Sequence, residues 1–181
     1  MSDISASARS IMEPGYRLVR VDSGSDGFFE IALLNDVDET VPYYNKVHVA
    51  FIEESSPRAA TQCLVRRSTD VRHSAAVRDV VHNVFFNYLV EHYDIVLSDN
   101  PGTGGGRSFW QSQISRAIAY GLCVSYQAEN GQLLPLPTQG ALDELVDQLW
   151  SEDSEQQDQL VLISKVSCAS NASSSRPGLN D

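Results

Sequence analysis

Residues 61–98 read TQCLVRRSTDVRHSAAVRDVVHNVFFNYLVEHYDIVLS, and along this stretch the hydrophobic period changes twice. Residues 61–67 form a run with β-branched side chains that predicts a strand. From Ser74 to Tyr93 the apolar side chains recur at i, i+3, i+4 and i+7, as in a helix that lays one face on a core. Residues 94–98 are a short apolar run typical of a buried central strand. The stretch predicts a strand, a helix with Ser74 as its N-cap, and a second strand.

The sequence on either side supplies the rest of the domain. Three further strands are predicted before this stretch, at residues 16–21, 28–34 and 46–52, and four elements after it: a helix from Arg107 or Ser108 to Gly121, a strand at 122–127, a helix at 141–150 and a strand at 160–166. Short links between the first four strands predict an antiparallel meander. We therefore expect an α/β (α+β) fold with a mixed, mostly antiparallel central sheet of about six or seven strands and about three flanking helices.

The composition fits one folded domain. The chain has 181 residues, of which 42% are hydrophobic, enough for a single core. Residues 1–13 and 167–181 are polar and rich in small side chains, so we expect two disordered tails around a single domain at residues 14–166. There is no apolar run of the roughly 18 residues that a membrane helix needs, and no secretory signal pattern. These features favour a cytoplasmic protein without membrane contact.

The charge and the metal-binding residue types exclude some functions. Asp and Glu number 24 against 13 Lys and Arg, giving a net charge of −11, so direct nucleic-acid binding is not expected. The three cysteines, Cys63, Cys123 and Cys168, are widely spaced and are expected to be reduced thiols. The four histidines have no HExxH-type spacing, and no metal is predicted.

A glycine-rich segment at residues 94–108, DIVLSDNPGTGGGRS, invites two catalytic interpretations. Only Gly106 and Ser108 fit the phosphate-binding pattern G-x-x-x-x-G-K-[ST]. A nucleophile elbow, G-x-S-x-G, would need Gly where Trp110 stands. The segment is therefore interpreted as a loop between a strand and a helix.

The order of strands and helices over residues 16–166 is similar to that of the GNAT superfamily of acyl-CoA N-acyltransferases. A narrower resemblance covers residues 89–110, which look like the corresponding segment of GNAT-like proteins from bacteriophages. Ser98, Asp99, Thr103, Gly106 and Trp110 carry that resemblance. It implies a phage or prophage protein acting in the cytoplasm of the host cell.

The resemblance implies acetyl-CoA or another acyl-CoA as cofactor. In the family, the strand before the central helix offers backbone groups to the pantetheine arm, and the turn into the helix holds the pyrophosphate. The implied cofactor-binding residues are Cys63, Leu64, Val65, Arg66 and Arg67 on the strand and Arg72, His73, Ser74, Ala75, Ala76 and Val77 in the turn. The family's turn motif, [RQ]-x-x-G-x-[GA], is met at Arg72, whereas Ala75 and Val77 replace its last two conserved positions. Arg66, Arg67, Arg72 and Arg78 add positive charge near this turn.

The resemblance also implies an acid–base pair. An acid among Glu53, Glu54 and Asp99 would take the amine proton, and a tyrosine would protonate the departing thiolate. Trp110 stands where many family members have that tyrosine, which leaves Tyr120 or Tyr126. The chain between Leu34 and Lys46 is too short for the pair of helices that shape the family's acceptor site, so the acceptor amine is not identified.

Two functions follow from these observations. The first is a GNAT-like N-acyltransferase that moves an acetyl or related acyl group from acyl-CoA to an unidentified amine. The alternative is a catalytically inactive GNAT-fold binding protein, a phage factor that acts on a host or phage protein. Ala75 and Trp110 favour the alternative, because each departs from a family motif.

Overall fold

A computed structural model describes residues 1–24, 27–52, 56–98, 106–128, 130–149 and 160–165. Within these ranges nine strands form one sheet, in the order β1-β2-β3-β4-β5-β6-β9-β7-β8. The strands are β1 (Ser2–Asp3), β2 (Tyr16–Asp22), β3 (Phe28–Asn35), β4 (Thr40–Ile52), β5 (Ser56–Arg67), β6 (Asp94–Ser98), β7 (Cys123–Gln127), β8 (Leu133–Pro135) and β9 (Leu160–Ser164). The mixed, mostly antiparallel sheet is confirmed. The sequence did not predict β1 and β8, because strands of two or three residues are too short to show a hydrophobic period.

Three helical segments accompany the sheet, as expected. Residues 74–92 run as one long helix made of α1 (Ser74–Asn83), a π-helical turn (Val84–Leu89) and α2 (Val90–His92). The others are α3 (Gly106–Ala119) and α4 (Gln139–Leu149). The π-helical turn was not predicted, although three consecutive buried residues, Val84, Phe85 and Phe86, are the kind of pattern that it produces. None of the described helices is long and apolar enough to cross a membrane.

The first long strands form the predicted meander. β2, β3, β4 and β5 pair antiparallel in sequence order. The register between β4 and β5 shifts once near the middle, where Val47 lies opposite Gln62 and Lys46 lies opposite Leu64. Cys63 therefore has no cross-strand partner on β4, which makes it the extra residue of a β-bulge.

The sheet opens between β5 and β6. These two strands are parallel, and within the described residues they pair only at Ala59 with Asp94 and at Ala60 with Ile95. β6 pairs with β9 along its other edge. We call the opening beyond the last pair, between residues 61–67 of β5 and residues 96–98 of β6, the fork.

The N-terminal segment belongs to the domain, in contrast to the tail that the sequence suggested. β1 pairs antiparallel with β2, and the backbone N–H of Ile4 donates to the carbonyl of Leu18 at 2.9 Å. Ile4 and Ala8 are buried in the core. Two apolar side chains among serines form no recognisable period, so the sequence pattern did not reveal their burial. The predicted C-terminal tail, residues 167–181, lies outside the described residues, as does Val166.

An arginine ties β2 to the long helix. One guanidinium nitrogen of Arg20 donates to the hydroxyls of Tyr88 at 3.1 Å and Tyr93 at 3.0 Å. A second nitrogen pairs with Asp22 at 2.6 Å. The guanidinium carbon also lies 3.9 Å from the centre of the Phe29 ring. We call Arg20 with these four partners the Arg20 cluster.

The cysteines are in two states. Cys63 is a free thiol, whereas Cys123 is disulfide-bonded, so the expectation of reduced thiols is wrong for Cys123. Cysteine spacing in a sequence does not by itself tell whether a given thiol is oxidised. Cys168 lies outside the described residues.

Candidate functional site

The implied cofactor strand forms one side of the fork. Cys63, Leu64 and Val65 are half-buried, and Arg66 and Arg67 are exposed. The bulge at Cys63 takes that residue out of the ladder with β4, and a bulge leaves the backbone groups of its extra residue available to other partners. Among the residues that the structure describes, the strand thus combines an edge without a strand partner beyond Ala60 with positively charged side chains at its end.

Buried side-chain amides lie beside the fork, and sequence reasoning missed them. Gln62 lies two residues after Ala60, the last residue paired with β6, and Asn45 lies on the same sheet face of neighbouring β4. Gln62 is 9% exposed and Asn45 is fully buried. The Oε1 of Gln62 and both polar side-chain atoms of Asn45 have no hydrogen-bond partner within the described residues.

Such groups are unusual inside a protein. A buried polar atom without a partner costs about 1–3 kcal/mol, so native proteins supply one from the chain, from water or from a ligand. The signal was present in the sequence as single amides inside the apolar runs YYNKV and TQCLV. Gln62 at the base of the fork and Asn45 on neighbouring β4 are therefore buried polar groups that would gain from a hydrogen-bond partner.

The start of the long helix already carries an anion of its own. Asp70 caps a 3-10 turn (Val71–His73) by accepting the backbone N–H of Arg72 at 2.9 Å. The guanidinium of Arg72 pairs with Asp70 at 2.7 Å and reaches Asp38 at 3.5 Å. The hydrogen bond from Arg72 lowers the pKa of Asp70 to about 2. This ion pair stands where the resemblance implies a pyrophosphate.

The other implied turn residues differ in exposure. His73 is buried, and its Nδ1 lies 2.8 Å from the Tyr16 hydroxyl, while Ser74 and Ala75 are exposed and Val77 is buried. Ala76 is half-buried. Ser74 is not the N-cap, because the 3-10 turn extends the helix toward Asp70 and places His73 at the cap of α1.

The two candidate tyrosines lie in different regions. Tyr126 on β7 is opposite Val161 of β9, which is opposite Leu97 of β6, so Tyr126 shares a row with the fork. Two strand spacings separate Tyr126 from Leu97, about 10 Å. Tyr120 follows α3 and is exposed, with its hydroxyl 3.4 Å from Nε2 of His82.

The three predicted catalytic acids, Glu53, Glu54 and Asp99, lie outside the described residues. Among the side chains that are described, no group of three or more His, Cys, Asp and Glu residues is placed to hold a metal ion.

A cavity of about 560 Å³ lies apart from the fork residues, between the N-terminal segment, α1 and α3. Its walls come from residues 9–13 and Tyr16, from the face of α1 between Ala76 and Asn83, and from Arg116 and Tyr120. We call it the helical cavity. The candidate tyrosine Tyr120 therefore faces the helical cavity and not the fork.

Comparisons of this chain with protein-family models, with curated proteins and with solved structures return no match.

Proposed function

We propose that this protein is a GNAT-like N-acyltransferase, which moves an acetyl or related acyl group from acyl-CoA to an amine. The observation that carries the proposal is the fork. A parallel pairing stops after two positions in the middle of a mostly antiparallel sheet, and the strand on one side leads directly into a long helix. This is the strand, turn and helix arrangement that the resemblance implies for pantetheine and pyrophosphate.

The open edge of β5 suits the pantetheine arm chemically. Pantetheine contains two amide groups, and an extended amide chain binds a free strand edge through main-chain hydrogen bonds. The bulge at Cys63 frees a backbone N–H from the β4 ladder, a candidate donor to the thioester carbonyl. The unpartnered Oε1 of Gln62 offers an acceptor for an amide N–H.

The reaction in this proposal depends mainly on positioning. An amine held against the thioester carbonyl attacks it without a covalent enzyme intermediate. The amine proton passes to the carboxylate of Glu53, Glu54 or Asp99, which acts as the base. Tyr126 then protonates the thiolate of CoA. Tyr126 is preferred to Tyr120 because it shares a sheet row with Leu97 at the fork.

The Asp70–Arg72 ion pair sets the affinity in this proposal. CoA phosphates would take the place of the Asp70 carboxylate at the helix start and pair with Arg72. Displacing the carboxylate offsets part of the binding energy, so we expect micromolar rather than tighter binding.

Isothermal titration with acetyl-CoA and with CoA tests the proposal. We expect micromolar binding that Arg72→Glu weakens by at least about tenfold. Arg17→Glu is the matched control, because Arg17 is also exposed and pairs with an aspartate, Asp36, at 2.6 Å. Thiol release on adding a panel of amines then reports turnover. Absence of heat and of any thermal shift at millimolar CoA contradicts the proposal.

A second candidate is a GNAT-fold binding protein without turnover, a phage factor that contacts a host or phage protein. The Asp70 carboxylate at the helix start favours it, since this anion occupies the place of the pyrophosphate. Capture of a defined protein by the purified chain, with no CoA binding, would support this candidate. The cytoplasm of a phage-infected host cell is the proposed location for either candidate.

A further inference from the structure

The helical cavity has the size of a small-molecule site. Its volume of about 560 Å³ falls within the usual range for ligand pockets, roughly 300–1,000 Å³, and far exceeds the space that a single inorganic anion fills. It lies between three chain segments that are distant in sequence. Its walls are therefore fixed by the fold.

Positive charge gathers around this cavity although the chain as a whole is acidic. Three arginines line it, Arg9, Arg78 and Arg116, together with two acids, Glu13 and Asp79. The ion pairs of the arginines are loose: Arg9 is 3.9 Å from Glu91, and Arg78 is 4.0 Å from its neighbour Asp79. Arg116 has no ion pair within the described residues. Guanidinium groups are thus available to a ligand.

A buried hydroxyl provides a second, independent observation. Ser10 lines the cavity and is only 9% exposed, and its Oγ has no hydrogen-bond partner within the described residues. The backbone N–H of Ser10 donates to the carbonyl of Ser5 at 2.9 Å, which fixes the residue in place. A buried hydroxyl without a partner is destabilising unless a ligand or water supplies one.

The remaining wall is aromatic and partly apolar. The rings of His82 and Tyr120 meet edge to face at 5.8 Å, and Val80 is buried beside them in α1. Burial, and then the charge of Arg116, lower the pKa of His82, so its ring is neutral at pH 7 and adds no charge. An aromatic or aliphatic ring would pack against this surface.

We propose that the helical cavity binds a small organic oxyanion, a carboxylate or phosphate monoester carried on a flat apolar body. The oxyanion pairs with Arg116, since guanidinium matches both groups in a bidentate manner. Ser10 donates its hydroxyl hydrogen to the ligand, and the apolar body lies against His82 and Tyr120. This inference does not rest on the proposed acyltransferase function, because Arg116 and Ser10, which would hold the oxyanion, belong neither to the fork nor to the turn before the long helix.

Phenyl phosphate and phenylacetate are suitable probes, with benzyl alcohol as the neutral analogue and inorganic phosphate as the bare anion. We expect saturable binding of at least one organic anion in isothermal titration. Arg116→Gln should weaken it by about ten- to hundredfold, whereas Arg17→Gln, which removes the same charge outside the cavity, should leave it unchanged. Comparing the two organic anions tells whether the site takes a phosphate or a carboxylate.

Amide chemical-shift changes locate the bound probe. We expect them at residues 76–83 of α1 and at Ser10, with a smaller affinity loss in Ser10→Ala. Three results would overturn the inference: no saturable binding of either organic anion at millimolar concentration, equal binding by Arg116→Gln, or equal affinity for inorganic phosphate. Acetyl-CoA titrations of the same variants report on the fork separately, so each proposal can fail alone.

Discussion

Arginine and aromatic side chains lie in the same neighbourhood in two regions of this molecule, and the two regions differ in how many partners the arginine has. In the Arg20 cluster the guanidinium donates to two tyrosine hydroxyls, pairs with Asp22 and lies over Phe29. In the helical cavity Arg116 has no ion pair within the described residues, and the hydroxyl of Ser10 has no partner there.

The number of partners distinguishes arginines that stabilise the fold from arginines that are available to a ligand. An arginine such as Arg20, whose three guanidinium nitrogens all have partners, joins two elements and gains little from a further partner. An arginine without partners beside an unsatisfied buried hydroxyl contributes little to folding, yet remains ready for binding. The same distinction applies near the fork. Asp70 and Arg72 form an ion pair with each other, whereas Gln62 and Asn45 have buried side-chain atoms without a hydrogen-bond partner in the described residues.

The largest effect is expected at the Arg20 cluster. Arg20→Ala removes two hydrogen bonds, an ion pair and a cation–π contact, and should lower the free energy of unfolding by about 2–3 kcal/mol. Urea denaturation measures it, with Arg17→Ala as the control. The exposed Arg17–Asp36 ion pair should contribute at most about 1 kcal/mol to the free energy of unfolding. Equal losses of unfolding free energy in Arg20→Ala and Arg17→Ala would show that the Arg20 cluster does not hold the fold more strongly than an exposed ion pair does.

A smaller and opposite effect is expected beside the fork. Gln62→Leu replaces a buried, unsatisfied amide by an apolar side chain of similar size, so the free energy of unfolding should stay level or rise by up to about 1 kcal/mol. Affinity for acetyl-CoA should fall about tenfold in the same variant. A stability loss comparable to that of Arg20→Ala would mean that Gln62 has a structural partner.

Arg116, which has no ion pair in the described part of the chain, should matter least for stability. Arg116→Gln is expected to change the free energy of unfolding by less than about 0.5 kcal/mol in the absence of ligand. Thermal denaturation with and without phenyl phosphate checks this, because the wild-type midpoint should rise with ligand and that of the variant should not. A clear loss of stability in Arg116→Gln without ligand would show that Arg116, like Arg20, stabilises the fold.

Two titrating groups should give small effects in separate pH windows. The pKa of Asp70 is about 2 in the folded protein and about 3.9 in an unfolded chain, so its contribution to stability is present above about pH 4 and lost as the pH falls toward 2. Asp70→Asn should therefore flatten the fall of the melting temperature in that window. An unchanged acid profile would show that the Asp70–Arg72 pair does not support folding.

The second pH range lies higher and reflects His82, which lines the helical cavity. The folded-state pKa of His82 is lowered by burial, so the unfolded chain takes up a proton first and stability falls as the pH drops below about 6.5. Melting temperatures from pH 8 to 4.5 should fall less for His82→Gln than for the wild type. Parallel curves for the two proteins would contradict the lowered pKa of the half-buried His82 imidazole.

Periodicity predicted much of the framework. The four-strand meander, the start of the long helix at Ser74 and the boundaries of β6 at Asp94 and Ser98 all followed from the spacing of apolar residues. The short edge strands and the π-helical turn did not, since neither has a period of its own in the sequence. Ile4 and Ala8 were missed because their burial depends on packing against distant segments.

The candidate sites were less accessible to sequence reasoning. The arginines near the helix start suggested an anion site, but the sequence could not show that Asp70 and Asp38 already pair with Arg72. The unsatisfied atoms of Ser10, Asn45 and Gln62 are properties of the folded state alone. The two candidate tyrosines looked equivalent until the sheet order separated Tyr126 from Tyr120.

Amide hydrogen exchange with and without saturating acetyl-CoA tests the role of the fork most directly. Acyl-CoA lying along β5 should slow exchange at residues 61–67 and at the first turn of α1, while the helical cavity residues 78–83 beyond that turn exchange as before. Unchanged exchange along β5, or protection confined to the helical cavity, would contradict the fork as an acyl-CoA site.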